Sequence, residues 1–214
     1  MIQRLRMRRY ATKRNVNAEV EAPAIRLARW ITHALAPAPV VGVLLVVIAL
    51  HSSSTIAAAL GWSILTVAFA VLIPFAYLLR GVRRHRFTDI HVRLREQRSP
   101  PLLVGIGSIL ISLGLLVVLG APQELIALVA AMTAGLLLTL LVTLVWKISV
   151  HAAVWGGTVV ILALTFGPAW LTMSILAGLV GWARVKLGDH SVSQVIAGYA
   201  LGAGVAAVVF TLIR

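Results

Sequence analysis

The chain has 214 residues, of which 60% are hydrophobic and only 12% charged, and its mean hydropathy is +1.00. This composition lies far outside the range of soluble globular proteins and is typical of polytopic helical membrane proteins. The absence of cysteine excludes disulfides, thiolate catalysis and cysteine metal sites.

The formal net charge of +13 comes from basic residues that are clustered along the chain: eight Lys and Arg lie in residues 1–33 and seven in residues 80–98. No short apolar segment with a small-residue cleavage site follows the first cluster, so residues 1–30 are expected to form a retained, basic, amphipathic cytoplasmic arm. No reading module or aromatic stacking pattern accompanies the charge, which argues against a nucleic-acid partner. Contact with an anionic lipid surface is the expected use of the excess charge.

Apolar runs long enough to cross a bilayer, roughly 17–25 residues each, follow the arm to the end of the chain. Pro37 and Pro39 interrupt the opening turns of the first run. The pattern predicts an all-α, polytopic integral membrane helical bundle with about seven transmembrane helices, or six if the first run does not span. The runs cover residues 31–51, 55–79, 101–119, 123–146, 149–166, 169–185 and 191–213.

The predicted topology agrees with the charge distribution. With the amino terminus in the cytoplasm, seven spans place residues 80–100, 146–149 and 184–191 on that side and leave the other side almost free of Lys and Arg. We expect an integral protein of a prokaryotic plasma membrane. In the last run Gly198 and Gly202 are four residues apart, a spacing that lets a helix approach a neighbour closely.

Three polar clusters fall on the predicted cytoplasmic side, in residues 89–100, 147–151 and 184–190. Each lies at the start or end of a predicted helical hairpin, so chain reversal brings them towards one face. Helix amino termini favour anions there because they present free N–H groups and the positive end of the helix dipole. The clusters therefore predict a site for a phosphate-bearing ligand on the cytoplasmic face.

Two of these clusters contain short motifs that resemble signatures of the type 2 phosphatidic acid phosphatase superfamily, the integral-membrane lipid phosphate phosphatases. The third signature is resembled by Arg184 followed, after five intervening residues, by His190. The second signature, normally Pro-Ser-Gly-His, is similar to Ser149-Val-His151. The loop ending at Arg98 takes the place of the first signature, normally a lysine followed seven residues later by Arg-Pro. The resemblance covers residues 80–205 and implies that residues 31–214 form a phosphatase-like transmembrane domain.

The resemblance implies a metal-independent phosphatase without a cofactor, acting on a membrane lipid with a phosphate headgroup. The reaction would hydrolyse a phosphate monoester or pyrophosphate through a phosphohistidine intermediate, with His190 as nucleophile and His151 as general acid and base. Positioned donors would stabilise the phosphoryl oxygens. A lateral opening would let the lipid chains remain in the bilayer. The implied phosphate-binding residues are Arg184, Ser149, Lys147, Arg98 and Arg95.

The chain also departs from the family pattern. Ile148 and Val150 replace the Pro and Gly of the second signature, although Ser149 is also a candidate helix N-cap. If Arg98 aligns with the arginine of the first signature, His91 takes the place of its lysine. Arg93 and Arg95 are then alternative phosphate ligands, and the register of this signature stays open.

The orienting residue is the second departure. The family has an aspartate four residues after the nucleophile, where this chain has Gln194. Its side chain can face His190 at the helical i, i+4 spacing and orient the imidazole, but it brings no charge. Asp189 or Asp89 are the alternative sources of that charge. The competing hypotheses are a phosphotransferase of the same fold and a non-catalytic membrane protein that binds phosphorylated lipid headgroups.

Overall fold

A computed structural model describes residues 22–214, and every regular element in that range is helical. Most of the predicted arm, residues 1–21, lies outside the described residues, and its predicted boundary at residue 30 falls inside the first helix. Short 3₁₀ turns occur at Arg95–Gln97 and Pro168–Met173. The helices are α1 Pro23–Ala34, α2 Pro37–Ser52, α3 Ile56–Arg83, α4 Ser99–Val118, α5 Gln123–Val145, α6 Val150–Phe166, α7 Ser174–Lys186 and α8 Val192–Ile213.

The helices begin where the sequence supplies proline or capping residues. Pro37 opens α2 after a break that bends α1 and α2 by 41°, as expected of a residue that lacks an N–H and suits the first helical turn. Ser149 caps α6 by accepting from the Ala152 N–H at 3.4 Å. Gly167 (φ 101°) and Gly188 (φ 67°) end α6 and follow α7 in a left-handed backbone region that favours glycine.

Helices α6 and α8 pack closely because small residues face each other along the contact. A Cβ atom added at Gly198 would lie 2.6 Å from the Ser149 carbonyl oxygen, and one added at Gly156 would lie 2.7 Å from the Tyr199 carbonyl oxygen. Gly202 lies against the Ala153 backbone in the same way. The close approach predicted from Gly198 and Gly202 is confirmed.

Four of the described segments are long and apolar enough to cross a membrane, namely α3, Arg95–Val118, α5 and α8, with a fifth if the bent pair α1 and α2 counts as one span. Helix α6 is apolar but has 17 residues, and α7 has 13. At 1.5 Å per residue α7 extends only about 20 Å, less than the roughly 30 Å hydrocarbon core. The all-helical fold with candidate membrane spans is confirmed, whereas the count of about seven spans is not.

From α2 to α8 the helices alternate in direction, so their ends collect at two poles of the bundle. Helices α3, α5 and α7 finish where α4, α6 and α8 begin, and we call this the site end. At the other pole, the opposite end, the Gln123 side chain at the start of α5 donates to the Ile213 carbonyl at 2.7 Å. At the site end Arg95 donates to the Leu144 carbonyl at 3.1 Å. The three polar clusters of the sequence therefore lie at the same pole.

Candidate active site

Four ionisable side chains from separate parts of the chain converge at the site end and are almost completely buried. Arg98 precedes α4, His151 lies in the first turn of α6, Arg184 in the last turn of α7, and His190 just before α8. Their exposed fractions are 5% for Arg98, 6% for His151, 1% for Arg184 and 6% for His190. All four line one cavity together with His91 from the loop between α3 and α4.

The turn between α7 and α8 positions His190. The Arg184 carbonyl accepts from the N–H groups of Asp189 at 3.1 Å and His190 at 3.2 Å, so the chain folds back over the end of α7. Ser191 then caps α8, with its hydroxyl bound to the Gln194 N–H and the Gln194 side chain bound in return to the Ser191 N–H. This capping box fixes the start of α8 and the side chain of Gln194 next to His190.

The His190 imidazole is held in one orientation by two neighbours. Its Nδ1 lies 3.1 Å from Gln194 Oε1, and its Nε2 lies 3.5 Å from Arg98 Nη2. Because the amide oxygen can only accept, Nδ1 carries the proton and Nε2 keeps its lone pair. Burial, followed by the charges of Arg98 and Arg184, lowers the pKa of His190 to about 3. The imidazole is therefore neutral at neutral pH, the state that a nucleophile requires.

Arg98 is fixed by backbone carbonyls on two segments. Its Nε donates to the Val92 carbonyl at 2.9 Å and its Nη1 to the Ile148 carbonyl at 2.8 Å. Val92 adopts φ 44°, a strained value for a β-branched residue. Since Val92 accepts from Arg98, the strained loop takes part in holding the guanidinium beside His190, where Nη2 faces His190 Nε2.

Arg184 keeps unused donors inside the protein. Its Nη1 lies 3.0 Å from Asp189 Oδ2, without hydrogen-bond geometry, and Asp189 Oδ1 pairs with Arg93 Nε at 3.0 Å. Within residues 22–214, neither Nε nor Nη1 of Arg184 has a hydrogen-bond acceptor. Buried donors without partners carry the full cost of desolvation. An anion in the cavity would supply the missing acceptors.

His151 belongs to a row of three imidazoles. Its ring stacks on that of His91 with centroids 5.5 Å apart, and His91 meets the ring of His33 edge-on at 4.9 Å. Burial, followed by the nearby Arg184 and His33, lowers the pKa of His91 to about 4. In the described part of the chain His151 Nε2 has no hydrogen-bond partner, so it is available to a ligand in the cavity.

Three predicted phosphate ligands have other partners in the structure. Lys147 Nζ donates to the Asp189 carbonyl at 2.5 Å, and burial and the neighbouring Arg98 lower its pKa. Arg95 binds the Leu144 carbonyl, and Ser149 caps α6 while its N–H donates to the Gln194 carbonyl at 3.2 Å. Of the residues predicted to bind phosphate, Arg98 and Arg184 line the cavity and these three do not. They hold the loops that carry His190 and Arg98.

Of the residues predicted to orient or charge-balance His190, one contacts its imidazole and the others bind elsewhere. Gln194 contacts the imidazole as its spacing predicts, whereas Asp189 binds Arg93 and Arg184. Asp89 is also engaged, because its Oδ1 accepts from the His91 N–H at 2.8 Å within its own loop. The prediction that Asp189 or Asp89 supplies negative charge to His190 therefore has no support in these contacts.

The structure also brings His33 to the site, a residue for which the sequence predicts no role. No local pattern marks it, because its contact with His91 depends on how α1 packs beside the loop between α3 and α4. A bound metal is not indicated by the residues that the structure describes, among which no group of three or more His, Asp or Glu could hold one.

The cavity has a volume of about 360 Å³ and is polar only near the clustered side chains. Apart from the five ionisable residues, its lining is apolar except for Thr139 and Thr158. A site of this kind suits a ligand with an anionic group at one end and a hydrocarbon body.

Comparisons with protein-family models, with curated proteins and with solved structures gave no match to this chain.

Proposed function

We propose that this protein is a membrane phosphatase that hydrolyses a lipid phosphate monoester or pyrophosphate through a phosphohistidine, without a metal. One observation carries the proposal: His190 Nε2, the guanidinium groups of Arg98 and Arg184, and the unpartnered Nε2 of His151 converge at the polar end of one cavity. These are a nucleophile, an anion cradle and a proton donor in reach of one phosphoryl group.

In the first step His190 Nε2 attacks phosphorus and the P–O bond to the leaving alcohol breaks. A bound phosphate dianion favours the imidazolium form of His151. This imidazolium donates a proton to the departing oxygen, so the products are the free lipid alcohol, a phosphohistidine and a neutral His151. In the second step His151 takes a proton from water, whose oxygen attacks phosphorus and breaks the P–N bond. Phosphate leaves, and both imidazoles return to their starting state.

The guanidinium groups supply the electrostatic part of catalysis. Charge develops on the phosphoryl oxygens in the transition state, and donors held in place beforehand stabilise it without reorganisation. Arg98 is held by two carbonyls, and Arg184 is fully buried, ion-paired with Asp189, and has no acceptor for its Nε in the described chain. Lys147 contributes by bracing the turn that carries His190, since its ammonium group binds the Asp189 carbonyl.

Binding of a phosphorylated headgroup without turnover is the second candidate, and Gln194 favours it. The residue orients His190 but does not stabilise the imidazolium that forms in the phosphoenzyme cycle. The two functions differ in whether phosphate is released and whether His190 becomes phosphorylated.

The deciding experiment incubates purified protein with a panel of lipid phosphates and pyrophosphates, with and without chelator, and measures released phosphate. Release that survives chelation, together with an acid-labile phosphoenzyme that is absent from His190→Ala, is the expected result. Tight binding of the same lipids without phosphate release or phosphoenzyme would replace the phosphatase with the binding protein. Transfer of phosphate to an added alcohol in place of water would identify a phosphotransferase.

We further propose that the site end faces the cytoplasm. This is supported by the basic residues in the loop between α3 and α4 and at Lys147, Arg184 and Lys186, since short basic loops resist translocation. In intact cells a cysteine at Ser53, Gln123 or after Arg214 should react with an impermeant thiol reagent, and Gln97→Cys should react only after permeabilisation. Labelling of Gln97→Cys in sealed cells would reverse the orientation and move the substrate to the outer leaflet.

A further inference from the structure

The cavity continues from the clustered side chains into the interior of the bundle. Helices α2, α3, α4, α5, α6 and α8 all contribute to its wall. Along α6 the lining runs from His151 to Ile161, and along α5 from Thr139 to Leu128. At 1.5 Å per residue these stretches correspond to a depth of about 15 Å. The apolar part is therefore a deep extension of the polar site.

The apolar extension runs from buried residues towards the partly exposed surface of the bundle. Ile109, Leu128 and Ile161 are buried, whereas Phe75 on α3 is 36% exposed. Two π-helical segments, Ala68–Leu72 in α3 and Ala206–Phe210 in α8, contribute lining residues. Such segments displace the helix backbone locally and are frequent at functional sites. A hydrocarbon packed against this apolar lining would gain dispersion contacts.

We propose that this extension holds the hydrocarbon chain of a phosphorylated lipid with one chain, which makes chain length a determinant of specificity. The inference rests on the phosphatase function proposed above. The volume of about 360 Å³ lies at the small end of the range of ligand pockets, about 300–1,000 Å³. It accommodates one chain beside the polar end.

Gly135 on α5 offers a way to shorten the extension without disturbing the fold. It lines the cavity, and a Cβ atom added there meets no atom within 4 Å. Leucine is also a better helix former than glycine, so Gly135→Leu should fill the space and keep the bundle intact. The matched control is Gly107→Leu on α4, where a Cβ atom also meets nothing within 4 Å and the residue is exposed, outside the cavity lining.

The test compares kcat/KM for dodecyl phosphate and butyl phosphate in wild type, Gly135→Leu and Gly107→Leu. Wild type and the control should prefer the long chain. In Gly135→Leu, kcat/KM for dodecyl phosphate should fall about tenfold, the factor that corresponds to losing the burial of roughly two methylene groups. Its kcat/KM for butyl phosphate should stay at the wild-type value. Equal rates on both substrates in wild type, or equal losses on both in Gly135→Leu, would overturn the proposal.

A binding measurement separates this inference from the proposed reaction. Dodecyl phosphonate, which cannot be hydrolysed at its P–C bond, should raise the thermal midpoint of wild type and Gly107→Leu more than butyl phosphonate does, and Gly135→Leu should lose the difference. If no phosphate ester is hydrolysed but this pattern holds, the reaction is wrong and the chain site stands. If esters are hydrolysed but both phosphonates stabilise all three proteins equally, the chain site is wrong.

Discussion

The two ends of the bundle differ in how deeply they bury their charged side chains. At the opposite end His51 and Glu124 lie 3.7 Å apart with side chains 43% and 30% exposed, and Arg214 donates to the Leu164 carbonyl at 2.6 Å. At the site end the paired side chains of Arg184 and Asp189 are only 1% and 5% exposed. Partly exposed pairs of the first kind contribute little energy, whereas buried pairs of the second kind carry the cost of desolvation.

The difference indicates what each end is for. Polar groups at the opposite end close helix termini, as Gln123 and Arg214 do for the last carbonyls of α8 and α6. In the described chain both ends keep buried polar atoms without hydrogen-bond partners, such as Glu124 Oε2 at the opposite end and Arg184 Nε and His151 Nε2 at the site end. The site end also has buried cationic side chains that line a cavity, which supports the anionic ligand proposed above.

Replacing one histidine with alanine at each end, in separate variants, tests this contrast most directly. His190→Ala removes the group that attacks phosphorus, and phosphate release should fall by at least about a thousandfold. His51→Ala at the opposite end should keep the wild-type rate. Both variants should retain the wild-type elution profile in detergent. Near-normal turnover by His190→Ala would eliminate the covalent-histidine mechanism.

The next largest effect is expected at His151. His151→Ala should lower turnover by about a hundredfold for an alkyl phosphate, because a general acid contributes roughly that much when the leaving alcohol is a poor one. The loss should be much smaller for p-nitrophenyl phosphate, whose leaving group needs little protonation. The measurement is kcat for the two esters side by side. Equal losses would indicate that His151 only supports the stack with His91.

A smaller effect is expected when the charge missing beside the nucleophile is restored. Gln194→Asp places a carboxylate at the i+4 position, which should raise the pKa of His190 from about 3 and stabilise the imidazolium. Turnover should rise a few-fold, about two- to fivefold, or its acid limb should shift to higher pH. Gln194→Asn, a neutral control, should not reproduce the change. A pH–rate profile identical to wild type would show that the missing charge does not limit the reaction.

The smallest effect concerns stability at low pH. The folded protein lowers the pKa of His91 from 6.5 to about 4 and that of His190 to about 3. Between pH 6.5 and 4 the unfolded chain therefore binds more protons, so stability is complete above pH 6.5 and declines as pH falls. The thermal midpoint should drop from pH 7 to pH 4, and less so in His91→Gln. His51→Gln controls for loss of an imidazole outside the site, and a drop of the same size in wild type and His91→Gln would contradict the assignment.

Much of the local structure could be predicted because its causes lie within a few residues. A helix covers each predicted run, Ser149 caps α6, and Gly167 and Gly188 end their helices as turn-forming residues do. The contact of His190 with Gln194 follows from the helical i, i+4 spacing. Which helices cross the membrane did not follow from hydropathy in the same way, since α7 has 13 residues where the apolar run has 17, and α6 with 17 residues nearly matches its run but is short for a span.

From the amino-acid sequence alone follow a helical bundle with candidate membrane spans, the concentration of basic residues in a few segments, and the histidines and arginines of the candidate site, because apolar runs, turn residues and charge act locally. Which cations meet the cavity depends on contacts between segments that are distant in the chain. Arg95 and Lys147 bind carbonyls far away in sequence, Asp189 binds two arginines, and His33 reaches His91. These contacts depend on the strained loop at Val92 and on the packing of α1 against α7, and no local pattern encodes either, since both arise from segments that meet only when the bundle closes.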